Sequence, residues 1–118
     1  MTFPHRGEIY LVAFDPTVGH EIQKTRPALI IRNDVSNEHS PITIVAAISS
    51  QFGSPRRPRE VLLATGGKSG LTQPSAAIMN QIRSIDRTRL VKRLGTLDPA
   101  TTRRIDEAIK ISLGLVPL

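Results

Sequence analysis

Apolar positions along this chain fall into short runs with a period near two, and only the last segment carries a helical stripe. Glu8 to Phe14 (EIYLVAF) alternates loosely and is rich in β-formers, which predicts a strand. Asp15-Pro16 and Gly19 interrupt it and predict a loop up to Thr25. Pro27 disfavours helical backbone at Arg26, so Arg26 is expected at the entrance of a second strand. There Ala28 to Ile31 is apolar throughout, as in a strand buried on both faces. Asn33 to Ser40 is short and polar, a turn or a single helical turn, with Asn33 and Asp34 read as caps. Ile42 to Ile48 is a third strand, almost wholly apolar, and Ser49 follows at its end.

The second half is more broken. Gln51 to Arg59 combines two prolines, a glycine and three arginines, which predicts a loop. Glu60 to Leu63 reads as a short strand and the TGGKSGL segment as a turn. Ser75 to Ile82 is expected to be a strand, although its alanines leave a helix open. One helical turn is expected within Ile85 to Leu90, ahead of a strand at Val91 to Leu94. The clearest helix is the last element: Asp98 suits the N-cap and Pro99 the first helical position. Ile105, Ala108, Ile109, Ser112 and Leu113 then recur three and four residues apart, and Gly114 is placed to end the helix. The sum is α+β, a small curved β-barrel with a C-terminal α-helix, forming one domain over residues 1–118.

Charge changes this picture more than size does. Sixteen Lys and Arg stand against ten Asp and Glu, for a net charge of +6, and twelve of the sixteen are Arg. Arginine favours flat, bidentate recognition of phosphate, so a polyanion is the expected partner and nucleic acid leads. Aromatics are scarce, which argues against a broad base-stacking platform. No cysteine is present, so disulfide and thiolate chemistry are excluded and a reducing cytoplasm is the expected location. The N-terminus shows no secretory pattern, and no apolar run approaches the roughly 20 residues that span a bilayer. His5, His20 and His39 have no ligand-like spacing, and no carboxylate pair supports a metal site, so neither metal nor cofactor is expected.

Taken in order, RGEIYLVAF, DPTVGHE, RPALIIRND, TIVAAISS and NQIRSIDRTRL followed by a terminal helix resemble the MazF/PemK toxin family from Arg6 to about Leu115. That resemblance implies an SH3-like barrel. It implies a metal-independent endoribonuclease that cuts single-stranded RNA at short sequences, leaving 2′,3′-cyclic phosphate and 5′-hydroxyl ends. A homodimer, and an acidic MazE-like antitoxin that blocks the RNA groove, are implied with it. The family's catalytic arginine falls on Arg26. Its catalytic threonine falls on Ser49, a departure that keeps the hydroxyl and adds rotamer freedom.

Such chemistry suits these residues. RNA carries its own nucleophile, the 2′-hydroxyl, so the protein has only to align it and stabilise charge on the phosphorus in flight. Arg26 offers two parallel N–H donors, and Ser49 offers a hydroxyl for a non-bridging oxygen or the 2′-hydroxyl. Guanidinium holds its proton far above neutral pH and is a poor proton shuttle. Glu21 matches a glutamate of the family's first loop, which helps place RNA, accepts a proton, or is simply solvated. His20 beside it titrates near neutrality. Gln81 is a candidate reader of a base edge. Arg83 is a phosphate contact or the ion-pair partner of Asp86. Arg56, Arg57 and Arg59 are candidate non-specific phosphate contacts. Two alternatives remain open: a non-catalytic toxin on the same barrel that inhibits DNA gyrase, and an RNA-binding module that has lost catalysis.

Overall fold

In the computed structural model, which describes residues 3–14, 24–52 and 58–117, the alternating segments pair into a single antiparallel sheet. Its strands are β1 (Glu8–Ala13), β2 (Thr25–Ile30), β3 (Ile42–Ser49), β4 (Glu60–Leu63), β5 (Ser75–Asp86) and β6 (Leu90–Thr96). They lie side by side in the order β4-β5-β3-β2-β1-β6. The expected α+β architecture therefore holds, but β4 and β6 are edges: the sheet curls and does not close by hydrogen bonding into a barrel.

Period-two alternation sorts side chains onto two faces. Ile9, Leu29, Ala46, Ile48, Ala77 and Met79 point to one of them, where they meet Ile105 and Ala108 of α2 (Pro99–Ser112). Val12, Phe14, Ala28, Ile30, Val45 and Ile85 form a second cluster, flanked by Tyr10 and Leu90. Every strand between β5 and β1 thus buries both faces, which is why their sequences read as nearly unbroken apolar runs.

Strand ends and caps follow local chemistry. Asp98 accepts from the Thr101 amide at 2.9 Å and Pro99 occupies the first turn, as the sequence predicts. Asn33 caps α1 (Asp34–His39) by accepting from the Ser36 amide at 2.8 Å. Asp34 does a different job: its carboxylate accepts from the Arg6 amide at 2.6 Å and ties the N-terminal segment to α1. Asn37 of α1 is fully buried. Its amide donates to the Arg32 carbonyl at 2.9 Å and its carbonyl accepts from the Thr43 hydroxyl at 2.7 Å, fastening α1 to β3.

Two expectations in the second half hold with changed bounds. Ser75 to Ile82 is strand, with no helix, and continues to Asp86 because Ile42 to Val45 of β3 pair with Asp86 to Arg83. Alanines there are strand residues because both neighbours, β3 and β4, supply a ladder that helix propensity cannot match. The helical turn is a 3₁₀ turn confined to Arg87–Arg89, and β6 begins at Leu90. The turn at residues 64–71 then crosses β6 closely. A side chain at Gly70, whose φ is +71°, would overlap the Leu94 carbonyl, and one at Gly95 would overlap the Lys68 carbonyl. So close a backbone approach requires that residues 70 and 95 carry no side chain, and Leu71 and Thr72 line a cavity together with residues 24–27.

Candidate active site

Arg26 lies in the first turn-ward residues of β2, paired with Val12 of β1. Ser49 is the last residue of β3, paired with Ala76 of β5. The pairing between these strands ends at Ala28 with Ala47, so Arg26 and Ser49 each lie two residues beyond it on neighbouring strands. Arg26 lines the cavity at this end of the sheet; on β3 it is Ile48 and Ser50, on either side of Ser49, that line it. Arg26 is exposed and Ser49 partly so. The Ser49 hydroxyl donates to the Gln51 carbonyl and accepts from the Gln51 amide, each at 3.0 Å, so its Oγ is held in one place as β3 ends.

A cavity of about 400 Å³ opens at this end of the sheet. Its size falls within the roughly 300–1,000 Å³ of ordinary ligand pockets. Leu11, Ile48, Leu71 and Leu94 give it apolar walls; Lys24, Arg26, Ser50, Thr72, Gln73 and Ser75 supply the polar groups. Cations above an apolar wall suit a phosphodiester carrying a base: the charge meets a guanidinium, and the wall limits the water that would screen it. Among the described residues no group of three His, Asp or Glu side chains is clustered as a metal site requires.

The other candidates separate. His20, Glu21, Arg56 and Arg57 lie outside the described residues. Arg59, at the base of the same loop, is half-buried, and its Nε finds no acceptor among the described residues. Gln81 sits in an irregularity of β5. Ala46 pairs with Ile82 while Ala47 pairs with Ile78, so Met79, Asn80 and Gln81 have no partner on β3. Bulges of this kind re-aim side chains beside active sites.

Arg83 has a role that the sequence did not suggest. Its guanidinium donates to the Phe14 carbonyl at 3.0 Å and lies 5.9 Å from the centre of the Phe14 ring. Arg89 donates to the neighbouring Ala13 carbonyl, also at 3.0 Å. Two cations therefore grip the end of β1. Asp86, the alternative partner for Arg83, accepts from both the amide and the hydroxyl of Thr88, and these bonds hold its carboxyl below the usual carboxylate range.

Sequence reading missed Lys24, Ser50, Thr72, Gln73 and Ser75. Ser50 was legible as the neighbour of Ser49. Residues 72 to 75 carry no motif; Ser75 reaches the cavity as the first residue of β5, and the close approach of Gly70 to Leu94 holds the preceding turn beside it.

The chain is similar to known proteins along nearly its whole length. Residues 5–113 match the family described as PemK-like, MazF-like toxin of type II toxin-antitoxin system. The chain is 38% identical over 111 residues to Endoribonuclease EndoA of Bacillus subtilis (strain 168), covering 94% of this chain and 95% of that protein. In fold it is similar to the crystal structure of MazF from Deinococcus radiodurans, with a TM-score of 0.81, 23% identity and coverage of 97% and 99%. It also resembles an endoribonuclease in complex with its cognate antitoxin from a mycobacterial species, with a TM-score of 0.77, 21% identity and coverage of 98% and 99%.

Proposed function

This chain belongs to the PemK-like, MazF-like family of type II toxin–antitoxin toxins, and on that premise we propose that it is a metal-independent endoribonuclease that cuts single-stranded mRNA and thereby arrests growth. What supports this reading is that Arg26, near the start of β2, lines a cavity beside the end of the adjacent strand β3, where Ser49 stands.

The reaction needs no nucleophile from the protein. The ribose 2′-oxygen attacks the adjacent phosphorus in line, its proton leaves, the bond to the 5′-oxygen breaks, and that oxygen takes up a proton. The products are a 2′,3′-cyclic phosphate and a 5′-hydroxyl. The Arg26 guanidinium binds two oxygens of the phosphorus centre and favours the extra negative charge they carry at the transition state. Ser49 orients the attacking hydroxyl or one non-bridging oxygen. The pinning of its Oγ by Gln51 offsets the rotamer freedom that serine adds over threonine. Glu21 and His20 stand as candidates for the two proton transfers, with His20 the group that titrates near neutrality. Gln81, Arg56 and Arg57 place the strand. Arg83 serves the site from beneath, through the end of β1.

A homodimer, a cytoplasmic location and an acidic antitoxin belong to the same proposal. The family's description and the mycobacterial complex support the antitoxin. The net charge of +6 supports acidic partners generally. No helix among the described residues is long and apolar enough to cross a membrane. Induced expression tests the proposal: the natural chain stops growth and leaves mRNA cut at recurring short words, whereas Arg26→Ala permits growth. Growth arrest with intact mRNA would refute it, and inhibited gyrase would identify the rival activity.

A further inference from the structure

Among the described residues, Lys24 is the one non-glycine residue with positive φ, at +67°. L side chains avoid this left-handed region because Cβ crowds the neighbouring carbonyl. Lysine has no short polar group to offset the strain locally, as asparagine does, so glycine is the residue this backbone suits best. The conformation is fixed from outside: the Lys24 carbonyl accepts from the Phe14 amide at 3.0 Å, which closes the first step between β1 and β2. Strain of this kind persists where surrounding structure over-determines it, and it concentrates at functional sites. What the chain gains from lysine is a cation two residues from Arg26 that lines the same cavity.

We propose that Lys24 is a second phosphate-binding cation of the cleft, holding the RNA backbone beside the phosphate on which Arg26 acts. The inference rests on the endoribonuclease reading and deepens it. An ammonium is a compact charge on a flexible stem, suited to retaining a phosphate without fixing its orientation, whereas the planar guanidinium of Arg26 imposes one. Lys24 is accordingly a holding group and Arg26 the group at the reacting phosphorus. Thr25, Ser50 and Thr72 around them are further hydrogen-bonding groups for the strand.

The test compares Lys24→Gly, Lys24→Met and, as a control on α2, Lys110→Met, whose native ammonium pairs with Glu107 at 3.2 Å. Lys24→Gly deletes the charge and relieves the backbone, so it melts at or above the temperature of the natural chain, and any lost function is not a loss of fold. Binding is measured by fluorescence anisotropy against short random-sequence RNA, 2′-O-methylated so that it resists cleavage, across a salt series. Both Lys24 variants weaken binding roughly threefold to tenfold at low salt. Their slope of log K against log salt is shallower by about 0.7, the share of one single-strand phosphate contact. On cleavable RNA their KM rises while kcat stays near that of the natural chain, the pattern of a group that binds ground and transition states alike. Lys110→Met changes none of these. Unchanged slope and affinity in both Lys24 variants would overturn the proposal, and so would failure of the natural chain to bind RNA at all. RNA that is bound but never cut would sink the endoribonuclease reading alone, since the salt slope still scores Lys24.

Discussion

At the scale of single residues, the chemistry asks Arg26 to favour a phosphorus centre at the moment its charge is greatest. Removing such a donor costs about a hundredfold to a thousandfold in kcat elsewhere. Arg26→Ala is therefore expected to lose at least that much in a cleavage assay, while circular dichroism shows an unaltered fold, because Arg26 is exposed and outside both apolar clusters. Arg26→Lys should recover little of it, since an ammonium has no bidentate fork. Ser49→Thr should keep or raise the rate, whereas Ser49→Ala should lower it by about tenfold or more, about 1.4 kcal/mol. An Ala variant as fast as the natural chain would make the hydroxyl a bystander. Asn37 shows the opposite profile. Asn37→Ala orphans the buried Thr43 hydroxyl and the Arg32 carbonyl, so it should destabilise by roughly 1–3 kcal/mol in urea unfolding. Cleavage by the fraction that stays folded should be unaltered.

Among the elements, the end of β1 is where stability and function meet. Arg83 from β5 and Arg89 from the 3₁₀ turn donate to consecutive carbonyls, Phe14 and Ala13, at the point where β1 ends. Arg83→Ala is expected to lower the melting temperature and to disturb cleavage through KM and site choice, while Arg83→Lys restores only part of either. A variant with full activity and stability would remove Arg83 from this role. The sequence announced most of these elements. β2 and β3 were readable because runs buried on both faces leave an unmistakable apolar signature, and α2 because Asp98, Pro99 and its apolar stripe agree with one another. β5 beyond Ile82 was not readable, since NQIRSID sets its apolar residues Ile82 and Ile85 three apart, against a strand's period of two, next to an irregularity visible only in the ladder with β3. Arg26 and Ser49 stood out because each ends an apolar strand. Lys24 did not: a left-handed lysine carries no mark in the sequence, and a Gln-Lys-Thr stretch looks like solvated loop.

For the molecule as a whole, two long-range properties can be measured. Arginines displace counterions from RNA, so affinity should fall steeply as salt rises, and weak salt dependence would contradict the phosphate-contact reading. Stability should hold through neutrality and decline at both ends of the pH scale. The Arg6 amide lowers the pKa of Asp34, the Thr88 amide that of Asp86 and the Thr101 hydroxyl, followed by its amide, that of Asp98. A lowered folded value means that this stabilisation is complete above the unfolded carboxylate value of about 3.9 and is lost as pH falls through the folded values. All three groups face solvent, so the loss should be small. Tyr10 runs the other way. Burial, followed by the charge of Glu8, raises its pKa, so the fold should weaken as pH climbs past the unfolded tyrosine value of about 10. A melting temperature that rises on acidification below the carboxylate range would contradict these assignments.

The most direct test of the central claim is end-group analysis of one long transcript incubated with the purified protein in EDTA. Discrete fragments with 2′,3′-cyclic phosphate and 5′-hydroxyl ends, absent from the Arg26→Ala reaction, are the predicted result. Intact RNA, cleavage that appears only when a divalent metal is restored, or fragments ending in 5′-phosphate would contradict an arginine-assisted attack by the RNA's own 2′-hydroxyl.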